Sequence, residues 1–198
     1  DTPASQSPGG VGAAGRRDVA SRQRAEQLAS LRADVSETRV VGDVIRHART
    51  MDQATAVLTI LDVLASSSLS TTVTLTAGRG RGKSAALGLC LAAAIAHGYS
   101  NMFVTSPSPD NVRTLFEFVL KGLDALGYEE VADWDLQRGT GEWKDTVVRI
   151  NVFRGHRQTI QYIQPQDHAV LSQAELVVID EAAASPRPME RSLLGPAR

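Results

Sequence analysis

The chain has 198 residues, 42% of them hydrophobic and 22% charged, which is enough for one globular core and little more. Lys and Arg total 21 against 22 Asp and Glu, so the net charge of −1 excludes a generally basic RNA-coating surface and an acidic solvating tail, though not a local basic stripe. Cys90 has no disulfide partner and the four histidines have no zinc-ligand spacing, which makes a reducing compartment the default.

The first residue is Asp, and the opening segment lacks a basic n-region followed by an apolar core, so the chain reads as a piece of a longer protein. The longest apolar stretch, Ala85 to Ala96, is far short of the roughly 20 residues that cross a bilayer, and no membrane association is expected. Residues 1–33 are rich in Ala, Ser, Gly, Pro and Arg and poor in branched apolar residues. They are expected to be a disordered linker, with at most a short helix from Ala20 to Leu31. Residues 34–198 then form the folded domain.

Apolar residues recur at three and four from Val40 to Ala48 and again from Ala54 to Leu64, which predicts two helices. Val73 to Ala77 is short, β-branched and apolar, and predicts a buried strand that runs into a glycine-rich turn. Lys83 to His97 is nearly apolar all round and closed by Gly98, as a buried helix with a glycine C-cap should be. A strand at Met102 to Thr105, a turn at Ser106 to Pro109 and an amphipathic helix from Asn111 to Leu126 follow. Asp133 to Asp145, which carries both tryptophans, reads as a surface excursion. Further strands are expected at Thr146 to Val152, Thr159 to Ile163 and Glu175 to Asp180. Alternating elements of this kind predict a three-layer α/β fold with a mostly parallel sheet.

The chemistry is concentrated in Ala77-Gly78-Arg79-Gly80-Arg81-Gly82-Lys83-Ser84, which fits the phosphate-loop pattern except that Ala stands at the leading Gly. Phosphates require a ring of unobstructed backbone N–H groups, a helix N-terminus, a cation and a hydroxyl for Mg²⁺. Gly80 and Gly82 open the loop, Lys83 is suited to the β and γ phosphates, and Ser84 to the metal. Such a site also needs acids at the carboxyl end of a neighbouring strand. Asp180 and Glu181 occupy that position, the first suited to Mg²⁺ through water and the second to polarising an attacking water.

Other residues have two readings each. Thr105 to Pro109 lie at a strand's carboxyl edge, where they could contact an RNA backbone or simply cap the next helix. Thr50 and Gln53 form a capping box, but Gln53 could also read adenine. Arg154, His156 and Arg157 are either a phosphate-binding cluster or a solvated turn, and Trp134 and Trp143 either stacking platforms or packing.

Long stretches match a known family: Met51-Asp52-Gln53-Ala54-Thr55-Ala56, Leu75 to Ala86, His97 to Asn101, Phe103 to Pro109, Thr114 to Phe118, His156 to Ile163 and Gln173 to Ala184. On these residues the run from Thr50 to Ala184 resembles the helicase-like module of the eukaryotic RNA cytidine acetyltransferase family. The resemblance implies a RecA-like P-loop ATPase, truncated here, that binds ATP and Mg²⁺. The positions matching Gln53, Gly78, Arg79, Gly80, Arg81, Gly82, Lys83, Ser84 and Ala85 would hold the nucleotide, Ser84 and Asp180 the metal, and Lys83, Asp180 and Glu181 the catalysis. Full-length members use acetyl-CoA to make N4-acetylcytidine in small-subunit rRNA and tRNA. The resemblance therefore also implies RNA, ribosome-assembly factors and a THUMP-domain adaptor as partners, and a nuclear, nucleolar location.

The match departs after Ala184, where Ser185-Pro186-Arg187-Pro188 replaces the family's Ile-Pro-Leu-Pro before Leu193-Leu194-Gly195-Pro196 resumes it. No acetyl-CoA pyrophosphate loop and no γ-phosphate arginine of the second half are present in these residues. The chain is thus expected to bind ATP, to turn it over very slowly and to acetylate nothing by itself. The competing reading is a nucleotide-binding scaffold in ribosome assembly without turnover; a small-molecule kinase lacks a recognisable lid.

Overall fold

Ala, Arg, Gln, Glu and Leu, all good helix formers, dominate the segment before Val35. In the computed structural model, which describes residues 13–66 and 71–182, that segment is a 22-residue helix, α1 (Ala13–Asp34). The short helix expected from Ala20 to Leu31 lies within α1, which is longer than expected at both ends, while residues 1–12 lie outside the described residues. Helix propensity alone does not hold so polar a helix in place. Leu28 buries itself against the core, the Arg32 guanidinium donates to the Ala48 carbonyl, and Arg24 pairs with Asp52.

Two helices follow, as the periodicity predicts: α2 (Val41–Ile45) and α3 (Met51–Ala65). The buried helix α4 (Lys83–Ala96) is gripped between α3 and α5 (Arg113–Ala125). Its glycine explains how closely: a Cβ on Gly88 would lie 2.3 Å from the Leu115 carbonyl oxygen, and one on Gly122 would lie 2.4 Å from the Ala92 Cβ. Small residues at both crossings let the two backbones approach further than larger side chains would allow. Gly98, at φ 91°, ends α4 as expected.

Five strands form one sheet: β1 (Asn101–Thr105), β2 (Trp134–Arg138), β3 (Val147–Val152), β4 (Gln158–Ile163) and β5 (Leu176–Ile179), in the order β2-β3-β4-β1-β5. β1 is parallel to both β4 and β5, whereas β2, β3 and β4 form an antiparallel meander. The sheet is therefore mixed rather than mostly parallel. Trp134, Leu136, Ile150, Val152, Ile160, Tyr162, Met102 and Val104 line the face that carries the helical core. The opposite face shifts from polar (Asp135, Asn151, Arg149, Gln161) to apolar (Phe103, Ile163) towards β5.

Two strand expectations need correction. Trp134–Arg138, read as part of a surface excursion, is β2: Trp134 and Leu136 alternate inward, and Trp134 is only 7% exposed. The Val73 to Ala77 segment joins no strand ladder, and all of it except Leu75 is exposed. A strand is made by its partner, and no described residue pairs with this one.

Candidate functional site

The glycine loop leads into α4 as the motif requires. Gly80 and Gly82 hold φ of 75° and 78°, a left-handed conformation that glycine adopts without penalty. Gly82 is the N-cap of α4, and the first intrahelical bond runs from the Ala86 N–H to the Gly82 carbonyl. The amides of Lys83, Ser84 and Ala85 precede that bond, so they belong to the group of helix-start N–H donors without an intrahelical acceptor. Ala85 contributes only backbone, since its methyl group is buried in the core. Lys83 Nζ donates to the carbonyls of Ala77 (2.7 Å) and Gly78 (3.1 Å), which folds the ammonium back across the loop. Gly78 and Gly80 face open space, and the Arg79 and Arg81 side chains are exposed.

Gln53 is built into this loop from α3. Thr50 caps α3 by accepting from the Gln53 N–H, but the reciprocal arm of the capping box is displaced by one residue, because Gln53 Oε1 accepts from the Arg49 N–H at 2.8 Å. The other end of the side chain, Nε2, donates to the Gly82 carbonyl at 3.2 Å. Gln53 thus ties the start of α3 to the N-cap of α4.

The acids stand at the carboxyl end of β5. The Asp180 N–H donates to the Thr105 carbonyl, and Asp180 Oδ1 accepts from the Glu181 N–H. Asp180 Oδ2 is buried and has no hydrogen-bond partner, as does the neighbouring Thr105 Oγ1. An orphaned carboxylate oxygen is costly unless a ligand satisfies it, and a hydrated Mg²⁺ fits that requirement. The exposed Glu181 side chain accepts from Asn111 Nδ2, across from the turn that follows β1, and Glu181 itself has φ 54°. Asn111 is a site contact that the residue pattern did not single out.

The predicted residues therefore fall into two groups. Gln53 is bonded to the glycine loop, and Asp180 and Glu181 to Thr105 and Asn111; no hydrogen bond joins one group to the other among the described residues. Ser84 sits half-buried in the first turn of α4.

The RNA-contact readings resolve against most of their residues. Thr105 and Ser106 are buried, Ser106 Oγ donates to the Ser108 carbonyl, and Ser108 caps the 3₁₀ turn Pro109–Val112, so the segment is a capping turn. Arg154 is held by Asp133, the Gly127 carbonyl and the Tyr128 ring, and the Asp133 carboxyl is held below its usual range chiefly by that guanidinium. His156 contacts the Gly98 carbonyl, near the amino end of β1 and away from Asp180. Burial pushes the Cys90 thiol up to about 12, as suits an inert core residue.

The family model described as RNA cytidine acetyltransferase NAT10/TcmA, helicase domain, matches residues 74–198. Among curated proteins, the chain is 57% identical over 171 residues to the RNA cytidine acetyltransferase of Dictyostelium discoideum and 57% identical over 171 residues to that of Homo sapiens. It is 54% identical over 171 residues to the protein of the same name from Saccharomyces cerevisiae. Each alignment takes in 86% of this chain but only 16% or 17% of the relative's length. No described helix is long and apolar enough to cross a membrane. With more than half of its residues matched to one domain model, the chain belongs to the NAT10/TcmA family of RNA cytidine acetyltransferases, within the helicase domain.

Proposed function

We propose that the chain is the ATP-binding, helicase-like part of an RNA cytidine acetyltransferase that makes N4-acetylcytidine in small-subunit rRNA and tRNA and so serves ribosome biogenesis in the nucleolus. The observation that carries the reading is the loop itself: two left-handed glycines, Lys83 folded over two loop carbonyls, and Gln53 bonded to the N-cap of α4. Carbonyl contacts of this kind hold the ammonium where a triphosphate would draw it away, since a charged acceptor makes the stronger bond. The N–H groups of Lys83, Ser84 and Ala85 would donate to phosphate oxygens, and Ser84 and Asp180 Oδ2 would hold Mg²⁺. The bound Mg²⁺–nucleotide supplies the transferable phosphoryl group, and Glu181 orients the water. To read adenine, Gln53 would give up the bond of Nε2 to the Gly82 carbonyl or of Oε1 to the Arg49 N–H. Acetyl-CoA would serve the longer relatives of this chain, not the residues described.

Calorimetric titration of the chain with Mg–ATP tests this. Lys83→Ala removes one charge-assisted partner, worth about 1.5 to 3 kcal/mol, and should weaken binding by about 10- to 100-fold. Equal affinity of the two proteins would refute the reading. Binding with no turnover above the uncatalysed background would favour the nucleotide-binding scaffold. RNA binding by this chain alone should be weak and fall gently with salt, because the net charge is −1 and Arg154, one of the few candidate phosphate contacts, is tied to Asp133. Sub-micromolar affinity for a small-subunit rRNA hairpin at physiological salt would contradict that.

A further inference from the structure

We propose that Asn111 is a positioning residue for Glu181, and that the turn Pro109–Val112 is the element through which the site's water-orienting carboxylate is held. The inference rests on the ATPase reading of Asp180 and Glu181 given above. Glu181 is exposed and lies two residues beyond the end of β5, and no described residue of its own segment fixes its side chain. Its one side-chain partner among the described residues is Asn111 Nδ2, which donates to Oε2 from the other side of the β1–β5 strand pair. The main chain at Glu181 is left-handed, φ 54°, a conformation that costs a non-glycine residue about 1 to 2 kcal/mol unless surrounding contacts maintain it.

The donor itself is not free to wander. Ser108 Oγ caps the turn by accepting from the Asp110 N–H, and Asp110 Oδ1 accepts from Thr146 Oγ1 at 3.0 Å. Asp110 and Asn111 are thus adjacent residues pinned in two directions, one towards the start of β3 and the other towards the end of β5. A long, exposed carboxylate that must present one oxygen to a water gains orientation from such a clamp, and misplacement by an ångström can cost about 100-fold in rate. The amide of Asn111 is suited to this because it donates to a carboxylate without carrying charge.

The test uses the whole chain and four readouts. In a ¹⁵N-labelled sample, the Asn111 side-chain amide pair should shift on Glu181→Ala while the Asn101 pair, at the start of β1, stays in place. Single-turnover hydrolysis of radiolabelled ATP should slow by between about 10- and 100-fold in Asn111→Ala, with ATP affinity and melting temperature unchanged. In a Glu181→Ala background, Asn111→Ala should slow it no further. Asn111→Leu keeps the bulk but offers no donor, so it should behave as the alanine variant does, whereas a merely space-filling role would leave it active. Thr146→Val, which releases Asp110, should produce a smaller loss of the same kind. An Asn111 amide indifferent to Glu181, or wild-type turnover in Asn111→Ala, refutes the positioning role. A wild-type chain that binds ATP without any turnover refutes it too, while a chain that binds no ATP refutes instead the reading beneath it.

Discussion

Gly82→Ala is a sharp probe of how the loop is built, because the three atoms nearest to the added methyl group all belong to Gln53. A Cβ there would sit 1.7 Å from Gln53 Nε2 and 2.9 Å from Gln53 Cδ, so Gln53 must swing out and abandon its bonds to the Gly82 carbonyl and the Arg49 N–H. At φ 78° the alanine also sits in the left-handed region, at a cost of about 1 to 2 kcal/mol. Two hydrogen bonds at about 1 kcal/mol each bring the total to about 3 to 4 kcal/mol. Gln53→Ala loses the two bonds without the backbone strain and should cost about 2 kcal/mol. The double variant loses the same two bonds only once and keeps the strain, so it should be no less stable than Gly82→Ala alone, with a coupling of about 2 kcal/mol. Urea denaturation of the four proteins measures this, and strictly additive losses would refute the claim that Gln53 fills the space of the missing Cβ. The same variants titrated with Mg–ATP would show whether the clamp also shapes the nucleotide site.

Other outcomes follow from the packing and the charges. Gly88→Ala improves helix propensity by about 1 kcal/mol yet presses a methyl group onto the Leu115 carbonyl, so thermal melting should show net destabilisation by about 1 to 3 kcal/mol; a stabilised variant would mean that α4 and α5 separate easily. Cys90, with its thiol pushed up from 9.0 to about 12 by burial, stays protonated in the fold while the unfolded chain ionises. Its contribution to stability should therefore be full below pH 9 and fall as pH rises towards 12, relative to Cys90→Ala, and thiol reagents at pH 8 should label it only at the rate of unfolding. Arg154→Ala should lower the melting temperature, by releasing Asp133 and the Gly127 carbonyl, without weakening RNA binding; unchanged stability with lost RNA affinity would restore its phosphate-contact role.

What the sequence determined by itself was local. The glycine loop, the helix it starts and the glycine that ends that helix are each specified within a few residues, by conformational freedom at φ above zero and by apolar periodicity. The apolar run ending in Asp180 and Glu181 was legible from its composition, and β1 supplies the partner that makes it a strand. Tertiary structure decided everything that depends on a distant partner. Val73 to Ala77 has the composition of a strand, but a ladder is a property of two segments, and no described strand lies beside this one. Trp134–Arg138 looks like loop sequence, with Asp, Gln and Arg in it, and becomes β2 because β3 pairs with it and the core accepts Trp134. α1 carries too few apolar residues to predict a docked helix, yet Leu28 and Arg32 anchor it to residues far along the chain. The bonds from Gln53 to Gly82 and from Asn111 to Glu181 span 29 and 70 positions, a separation at which no sequence periodicity operates and only folding brings donor to acceptor.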